Sequence, residues 1–242
     1  PPTPEQLAKA AAEDQLGDQK CGIPRNAADE YRPAPMYPDQ TRAHRVVSAQ
    51  KYKVETVASG LPNAWGMAFL PSGNMLVTIR GQGLKTVAPD GKVSELLTGM
   101  PAIKTAIRLF GMHDVVLDRD FAKNRTVYLA YVTQVEGGAP NTGYLASAKL
   151  AADEKSVTDL KILKEGAGFV PRRVVQGKDG TLFVITADVI TPYNAAQSLK
   201  SPNGKVLRIN TDGSIPKDNP FVSNADADPP VRDGLLREPE VP

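Results

Sequence analysis

An eleven-residue pattern occurs twice in this chain, and the spacing of its copies restricts the fold more than any other feature. Met67-Ala68-Phe69-Leu70-Pro71-Ser72-Gly73-Asn74-Met75-Leu76-Val77 is echoed by Val174-Val175-Gln176-Gly177-Lys178-Asp179-Gly180-Thr181-Leu182-Phe183-Val184. Each copy reads as an apolar strand, a tight turn carrying glycine, and a second strand. Gly73 and Gly180 stand 107 residues apart, which is room for two units of about 50 residues each. Short strands repeated at that period are the pattern of β-propeller blades. Between the copies lies a third unit, Gly111–Leu117 followed by Val127–Val132, with Asp118-Arg119-Asp120-Phe121 joining the two runs.

Composition agrees. The chain of 242 residues is 41% hydrophobic and 23% charged, which is globular rather than disordered. Its 20 Gly and 21 Pro are more turn residues than a helical protein needs, and many short strands explain them. A net charge of +2, with no basic run, gives no footprint for nucleic acid. No run of 18 apolar residues is present to span a membrane as a helix. The single Cys21 excludes an internal disulfide and a cysteine zinc site, and it lacks the C-x-x-C-H pattern that attaches haem.

Residues 1–50 have a different texture. Thr3 and Pro4 precede Glu5–Asp14, a run of strong helix formers, and predict one short helix. A Pro-rich extended arm, Pro24 to Pro38, follows and has little to bury by itself. The chain begins at Pro1 without Met, which reads as a processed or trimmed start. From Tyr52–Val57 onward the alternation predicts strands. The expected organisation is 1–50 as helix and arm, then 51–242 as a partial propeller. Its four-stranded antiparallel blades are expected at 51–100, 101–165 and 166–222, with a fourth starting at 230–242.

The stretch Asn203–Phe221 is more specific. An alternating run (Val206, Leu207, Ile209) meets a turn, Thr211-Asp212-Gly213, and then a loop whose backbone Pro216 and Pro220 fix. GKVLRI-x-x-DGSIP-x-DNPF resembles the signature of the soluble aldose sugar dehydrogenases, also called glucose/sorbosone dehydrogenases. Trp65-Gly66-Met67-Ala68-Phe69-Leu70-Pro71 is similar to that family's opening blade, and Gly111–Leu117 to its "GLLDVAL" blade. The resemblance implies a six-bladed propeller in the periplasm or secreted, using pyrroloquinoline quinone (PQQ) and calcium to oxidise aldoses.

The same resemblance locates a site, and this chain departs from it. The family's base is the His of "H-F-G-x-R-L"; in Gly168-Phe169-Val170-Pro171-Arg172-Arg173 the Phe169 and Arg172 positions match, but Gly168 stands where the His would be. A neutral imidazole suits proton removal near pH 7, and glycine offers nothing. Leu109 replaces the usual Gln before "GGLLDV". In Leu235–Glu240 only Arg237 and Pro239 fit the cofactor-binding "GHRNPQG". Asp188 matches the carboxylate that supports the base; the alternative is a strand-end Asp that caps a turn. Gln197 matches the "AQ-x-L" Gln, or holds loop backbone. Arg237, Arg172 and Gln197 are therefore the expected cofactor-binding residues. His44 lies in the polar linker. His113, on an inner strand, is a candidate for a displaced base, although Asp114 should point to the opposite face. No metal ligand set is assigned: Asp226-Ala227-Asp228 is a short acidic turn, and no full calcium loop is present.

Three readings share the fold: the aldose dehydrogenase, a catalytically inactive propeller acting as a binding or structural subunit, and a propeller lactonase or other sugar hydrolase. Three blades leave two faces bare, expected to expose Trp65, Phe69, Val174 and Phe183. The expected partners are an aldose substrate and either a second copy or another chain that completes the ring.

Overall fold

The computed structural model describes residues 5, 50–104, 110–134, 141–187 and 195–234, with backbone alone for 232–234. The chain divides into two compact units, Pro1–Glu55 and Thr56–Pro242. The expected helix and Pro-rich arm lie outside the described residues. The strand expected at Tyr52–Val57 does not form: residues 51–61 carry no regular structure, and Tyr52 and Val54 are exposed. Alternation makes a strand only where a neighbouring strand supplies the ladder bonds.

Three antiparallel sheets follow in chain order. Sheet one is β1 (Ala64–Phe69), β2 (Met75–Ile79) and β3 (Gly83–Val87). Sheet two is β4 (Gly111–Leu117), β5 (Thr126–Thr133), β6 (Thr142–Leu150) and β7 (Val157–Ala167), with one helical turn, α1 (Phe121–Asn124), between β4 and β5. Sheet three is β8 (Pro171–Gln176), β9 (Leu182–Thr186), β10 (Lys205–Ile209) and β11 (Val231–Gly234). Each is an up-and-down meander, so the architecture is the all-β, partial propeller that the repeat predicts.

Two details differ from expectation. Sheet one has three strands among the described residues; beyond β3 the chain adds an isolated bridge, Val87 to Val93, and backbone bonds from Ser94 and Leu97 to Thr86 and Leu84. Val231–Gly234 does not open a fourth blade but pairs antiparallel with β10 and completes sheet three, which therefore runs past residue 222. The connection between them is the Pro-broken loop, which can return without joining the ladder.

The turns explain the echo. Gly73 and Gly180 close the first turn of sheets one and three with φ of 91° and 85°, a region that glycine enters without steric cost. Their N–H groups bond back to Leu70 O and Gly177 O. Two cores fill the joints between sheets. Leu70, Leu76 and Leu84 of sheet one meet Met112, Val115, Val127, Leu129 and Tyr131 of sheet two. Tyr128, Ala130 and Leu145, on the opposite face of sheet two, meet Val174, Leu182, Val184, Leu207 and Ile209 of sheet three. The inner strands β1, β4 and β8 thereby lie side by side. Val174, expected bare, is buried in the second joint; its neighbour Val175 is the exposed one.

Candidate functional site

The GKVLRI…DNPF stretch, so informative as a signature, is scaffolding. Lys205 is fully buried, and its Nζ donates to the carbonyls of Ala195, Ala196 and Asn203 at 3.2, 2.6 and 2.9 Å. Arg208 bridges Asp179 at 2.9 Å and Asp218 at 2.8 Å, tying the loop to the first turn of its sheet. That guanidinium holds the Asp179 carboxyl down to about 2. Asn219 donates to the carbonyls of Arg208 and Pro229. These residues fix the loop rather than face a ligand.

The chemistry-bearing residues converge instead at the leading ends of the inner strands. Each of those strands carries an irregularity there: the register shifts between Ala64 and Met67, between Met112 and Asp114, and between Pro171 and Arg173. A bulge leaves a residue unpaired and re-aims its side chain. Trp65, His113 and Arg172 occupy those three irregularities, and their side chains meet. The Trp65 and His113 rings are 6.0 Å apart, and Arg172 Nη1 lies 2.9 Å from His113 Nε2. Arg80, just past β2, and Arg172 both stand over the Trp65 indole, at 5.2 and 5.8 Å from its centroid. Arg80 also donates to Asn63 Oδ1 at 3.1 Å. Burial lowers the Arg172 pKa, and the neighbouring charge of Arg80 lowers it further.

His113 is fully buried, and its Nδ1 lies 2.7 Å from the Pro171 carbonyl. A carbonyl only accepts, so Nδ1 carries the proton; a guanidinium only donates, so Nε2 accepts from Arg172. Both ring nitrogens are engaged in joining sheet two to sheet three. Asp114, expected to point to the opposite face, reaches the same strand β8, because the bulge at His113 interrupts the alternation. Its Oδ2 accepts the Val174 N–H at 2.9 Å, and its Oδ1 lies 3.2 Å from Arg173 Nη1. Burial pushes this carboxyl above its usual 3.8, against the lowering effect of the Val174 N–H and Arg173.

Close backbone packing positions this cluster. Gly66 lies so near sheet two that an added Cβ would stand 2.7 Å from Asp114 Oδ1 and 2.8 Å from the His113 carbonyl. Thr78 Oγ1 accepts the Gly66 N–H at 2.7 Å and reaches the His113 carbonyl at 3.3 Å. Gly111 takes a φ of 120°, and its Cβ position falls 1.8 Å from the Arg80 carbonyl, which accepts the Met112 N–H.

Of the expected site residues, the structure brings together His113 and Arg172. Gln197 is exposed on the single helical turn Ala195–Gln197, two of whose carbonyls hold Lys205. Asp188, Leu109 and Arg237 lie outside the described residues. Gly168 adopts a φ of 73°, and a Cβ there would meet only Asn203 Nδ2, at 4.0 Å. Asn203 is buried, and its Oδ1 has no hydrogen-bond partner among the described residues. Trp65 and Arg80 were not singled out as site residues, since their convergence depends on bulges that local alternation does not encode. Among the described residues no three His, Cys, Asp or Glu side chains gather as a metal site. Among them, too, no helix is long and apolar enough to cross a membrane.

The sequence profile of the Glucose / Sorbosone dehydrogenase family matches residues 61–232. The aldose sugar dehydrogenase YliI of Escherichia coli is 32% identical over 195 residues, covering 77% of this chain and 52% of that protein. A crystal structure of a glucose dehydrogenase superposes with a TM-score of 0.67 at 26% identity, covering 74% of this chain and 54% of the other. The PQQ-bound aldose sugar dehydrogenase of Streptomyces coelicolor, at 24% identity and a TM-score of 0.58, covers 74% and 52% and shares the fold. The chain spans about half the length of the curated relatives it matches.

Proposed function

This chain belongs to the glucose/sorbosone dehydrogenase family, and on that premise we propose that it contributes the cofactor-holding rim of a PQQ-type sugar-oxidising site without contributing that site's base. The observation that carries this reading is the cluster at the inner-strand ends. Two guanidinium groups, Arg80 and Arg172, face one indole, and their mutual repulsion is relieved when an anion lies between them. PQQ is a planar tricarboxylate, so flat aromatic surface beside paired arginines fits it in both shape and charge. When bound, that cofactor supplies a two-electron acceptor for the hydride of an aldose anomeric carbon. Calcium finds less support, because the described residues offer no convergent carboxylates.

The proton is where the described half falls short. Hydride transfer from a sugar hydroxyl carbon needs a base within hydrogen-bond reach. Gly168 has no side chain, and His113 spends Nδ1 on the Pro171 carbonyl and Nε2 on Arg172. Those two facts favour the second reading, a propeller that binds and does not turn over. The enzyme reading requires a base from beyond the described residues. A periplasmic or secreted location accompanies either reading.

Titration of the purified chain with PQQ, with and without calcium, followed by a dye-linked glucose assay, tests both parts. Saturable quenching of Trp65 without dye reduction is the expected result, and Arg80→Ala should weaken binding about tenfold, the loss of one charge-assisted contact. Absence of saturable binding overturns the cofactor rim; PQQ-dependent dye reduction overturns the missing base.

A further inference from the structure

Among the described residues, one buried side-chain oxygen is left without a hydrogen-bond partner: Oδ1 of Asn203. The main chain around it is fully engaged. The Asn203 N–H donates to Ser201 Oγ at 3.2 Å, and its carbonyl accepts from the Lys205 ammonium at 2.9 Å. On either side, the Pro202 carbonyl accepts from Thr186 Oγ1 at 2.6 Å, and the Gly204 N–H donates to the Ala187 carbonyl at 3.3 Å. Asn203 is thus clamped to the end of β9, and its side-chain amide is the part left over. A buried acceptor without a donor is costly, and native structures keep few of them. At 5% exposure, bulk water does not supply that donor.

The amide borders open space. A Cβ at Gly168 would stand 4.0 Å from Asn203 Nδ2 and, among the described residues, would meet nothing else within that distance. Gly168 is half-buried, which leaves the space a way to solvent. Its walls are fixed, since the Gly168 N–H donates to the Asn141 carbonyl at 3.4 Å and the Phe169 N–H to the Gly166 carbonyl at 3.2 Å. The spot lies at the same end of sheet three as Pro171, which pairs with Thr186 and whose carbonyl holds His113.

The chemistry of this spot selects its ligand. A metal cation is disfavoured, because the Lys205 ammonium sits on the main-chain carbonyl of the same residue. Among the described residues, no carboxylates gather there to offset a cation's charge. An anion would meet the unpaired lone pairs of Oδ1. The partner is therefore a neutral group that brings a donor. Nδ2 offers a donor in return, so two adjacent hydroxyls match the amide: one donates to Oδ1 and the other accepts from Nδ2.

We propose that Asn203, reached past Gly168, binds vicinal diols, so that the chain takes polyols with no reducing carbon as well as aldoses. This deepens the sugar-binding part of the proposed function, and rests on that reading for the choice of carbohydrate. It requires neither PQQ nor turnover. The amide reads a pair of hydroxyls and makes no contact that singles out an anomeric centre.

The test uses the full 242-residue chain without PQQ, titrated separately with glucose, glucitol and ethanol. Heteronuclear NMR follows the Asn203 side-chain amide signals, identified by their absence from Asn203→Leu. Glucose and glucitol should both shift them saturably, and ethanol, with one hydroxyl, should not. Asn203→Leu, followed through the Gly204 N–H, should weaken both polyols at least about tenfold. If Asn203→Leu fails to fold, Gly168→Ala, which fills the space and keeps the amide, must weaken them at least about threefold. No shift with either polyol leaves an internal water as the partner and overturns the site. Equal shifts with ethanol, binding of glucose alone, or variants that bind like the parent each overturn it as well. Since PQQ is absent throughout, failure of the cofactor rim leaves this result standing, and failure here leaves the PQQ titration untouched.

Discussion

Asp114 of β4 accepts the backbone N–H of Val174 of β8 at 2.9 Å and faces Arg173 Nη1 at 3.2 Å, so a single buried carboxylate joins two sheets through main chain and side chain together. The bond satisfies an amide that lies inside the second joint, next to the Val174 side chain in the core. Removing the acceptor strands that donor, whereas an isosteric amide keeps it paired. Asp114→Ala is therefore expected to cost about 1–3 kcal/mol in chemical denaturation, and Asp114→Asn markedly less.

The same carboxyl gives the fold a pH signature. Burial raises Asp114 above 3.8 in the folded state, outweighing the lowering by Val174 N–H and Arg173. An acid that binds its proton more tightly when folded contributes stability that is full below the unfolded value and lost as pH rises through the folded value. Asp114→Asn should remove that downward slope just above pH 3.8, measured as denaturation midpoint against pH.

Asp118 works with the opposite sign. Burial pushes it up, but the Tyr128 hydroxyl at 2.6 Å, the Asn124 amide at 2.8 Å, the Asp120 N–H and the Gln176 amide outweigh burial and hold it below 3.8. Its contribution is present above the unfolded value and lost as pH falls through the lowered folded one. Tyr128→Phe should cost about 1 kcal/mol at neutral pH, discounted because Asp118 is half-exposed, and the deficit should shrink in acid.

Restoring a histidine at the glycine of the signature "H-F" position should not restore activity. Gly168 holds a φ of 73°, a conformation that costs an L-residue about 1–2 kcal/mol. Gly168→His is thus expected to lower the melting temperature while leaving dye-linked sugar oxidation at background. Turnover by Gly168→His with PQQ would show that one imidazole is all the site lacks.

Gly111→Ala is expected to be strongly damaging for a single methyl group. Its Cβ would fall 1.8 Å from the Arg80 carbonyl at a φ of 120°, so strain and collision act together. A loss of more than about 2 kcal/mol is expected by denaturation. The displaced Arg80 should also change the fluorescence of Trp65, which it overlies.

Strands and turns were legible in the sequence because their causes are local. Alternation chose the faces of β2, β5 and β9, and Gly73 and Gly180 marked turns that only glycine enters freely. The site was not legible, because its causes are distant. The Pro171 carbonyl that engages His113 is 58 residues away, and the bulges that aim Trp65, His113 and Arg172 exist only once strands pair. Tyr52–Val57 failed as a strand for the same reason: its alternation is real, but no described strand pairs with it. The basic residues of the signature, Lys205 and Arg208, hold carbonyls and carboxylates of their own scaffold.

Sheet two sits in both joints, its strands β5 and β6 sending alternate residues into opposite cores. Sheets one and three each pack a core against it, and between themselves the described residues show the Trp65–Arg172 contact but no shared core. Local opening is therefore unequal across the molecule: either outer sheet can detach while the middle one survives, but the middle one cannot open alone. Amide protons of Val127–Val132 and Tyr144–Ala148 should thus be the last to exchange with deuterated solvent, at the rate of global unfolding, while those of β1 and β9 escape through smaller fluctuations.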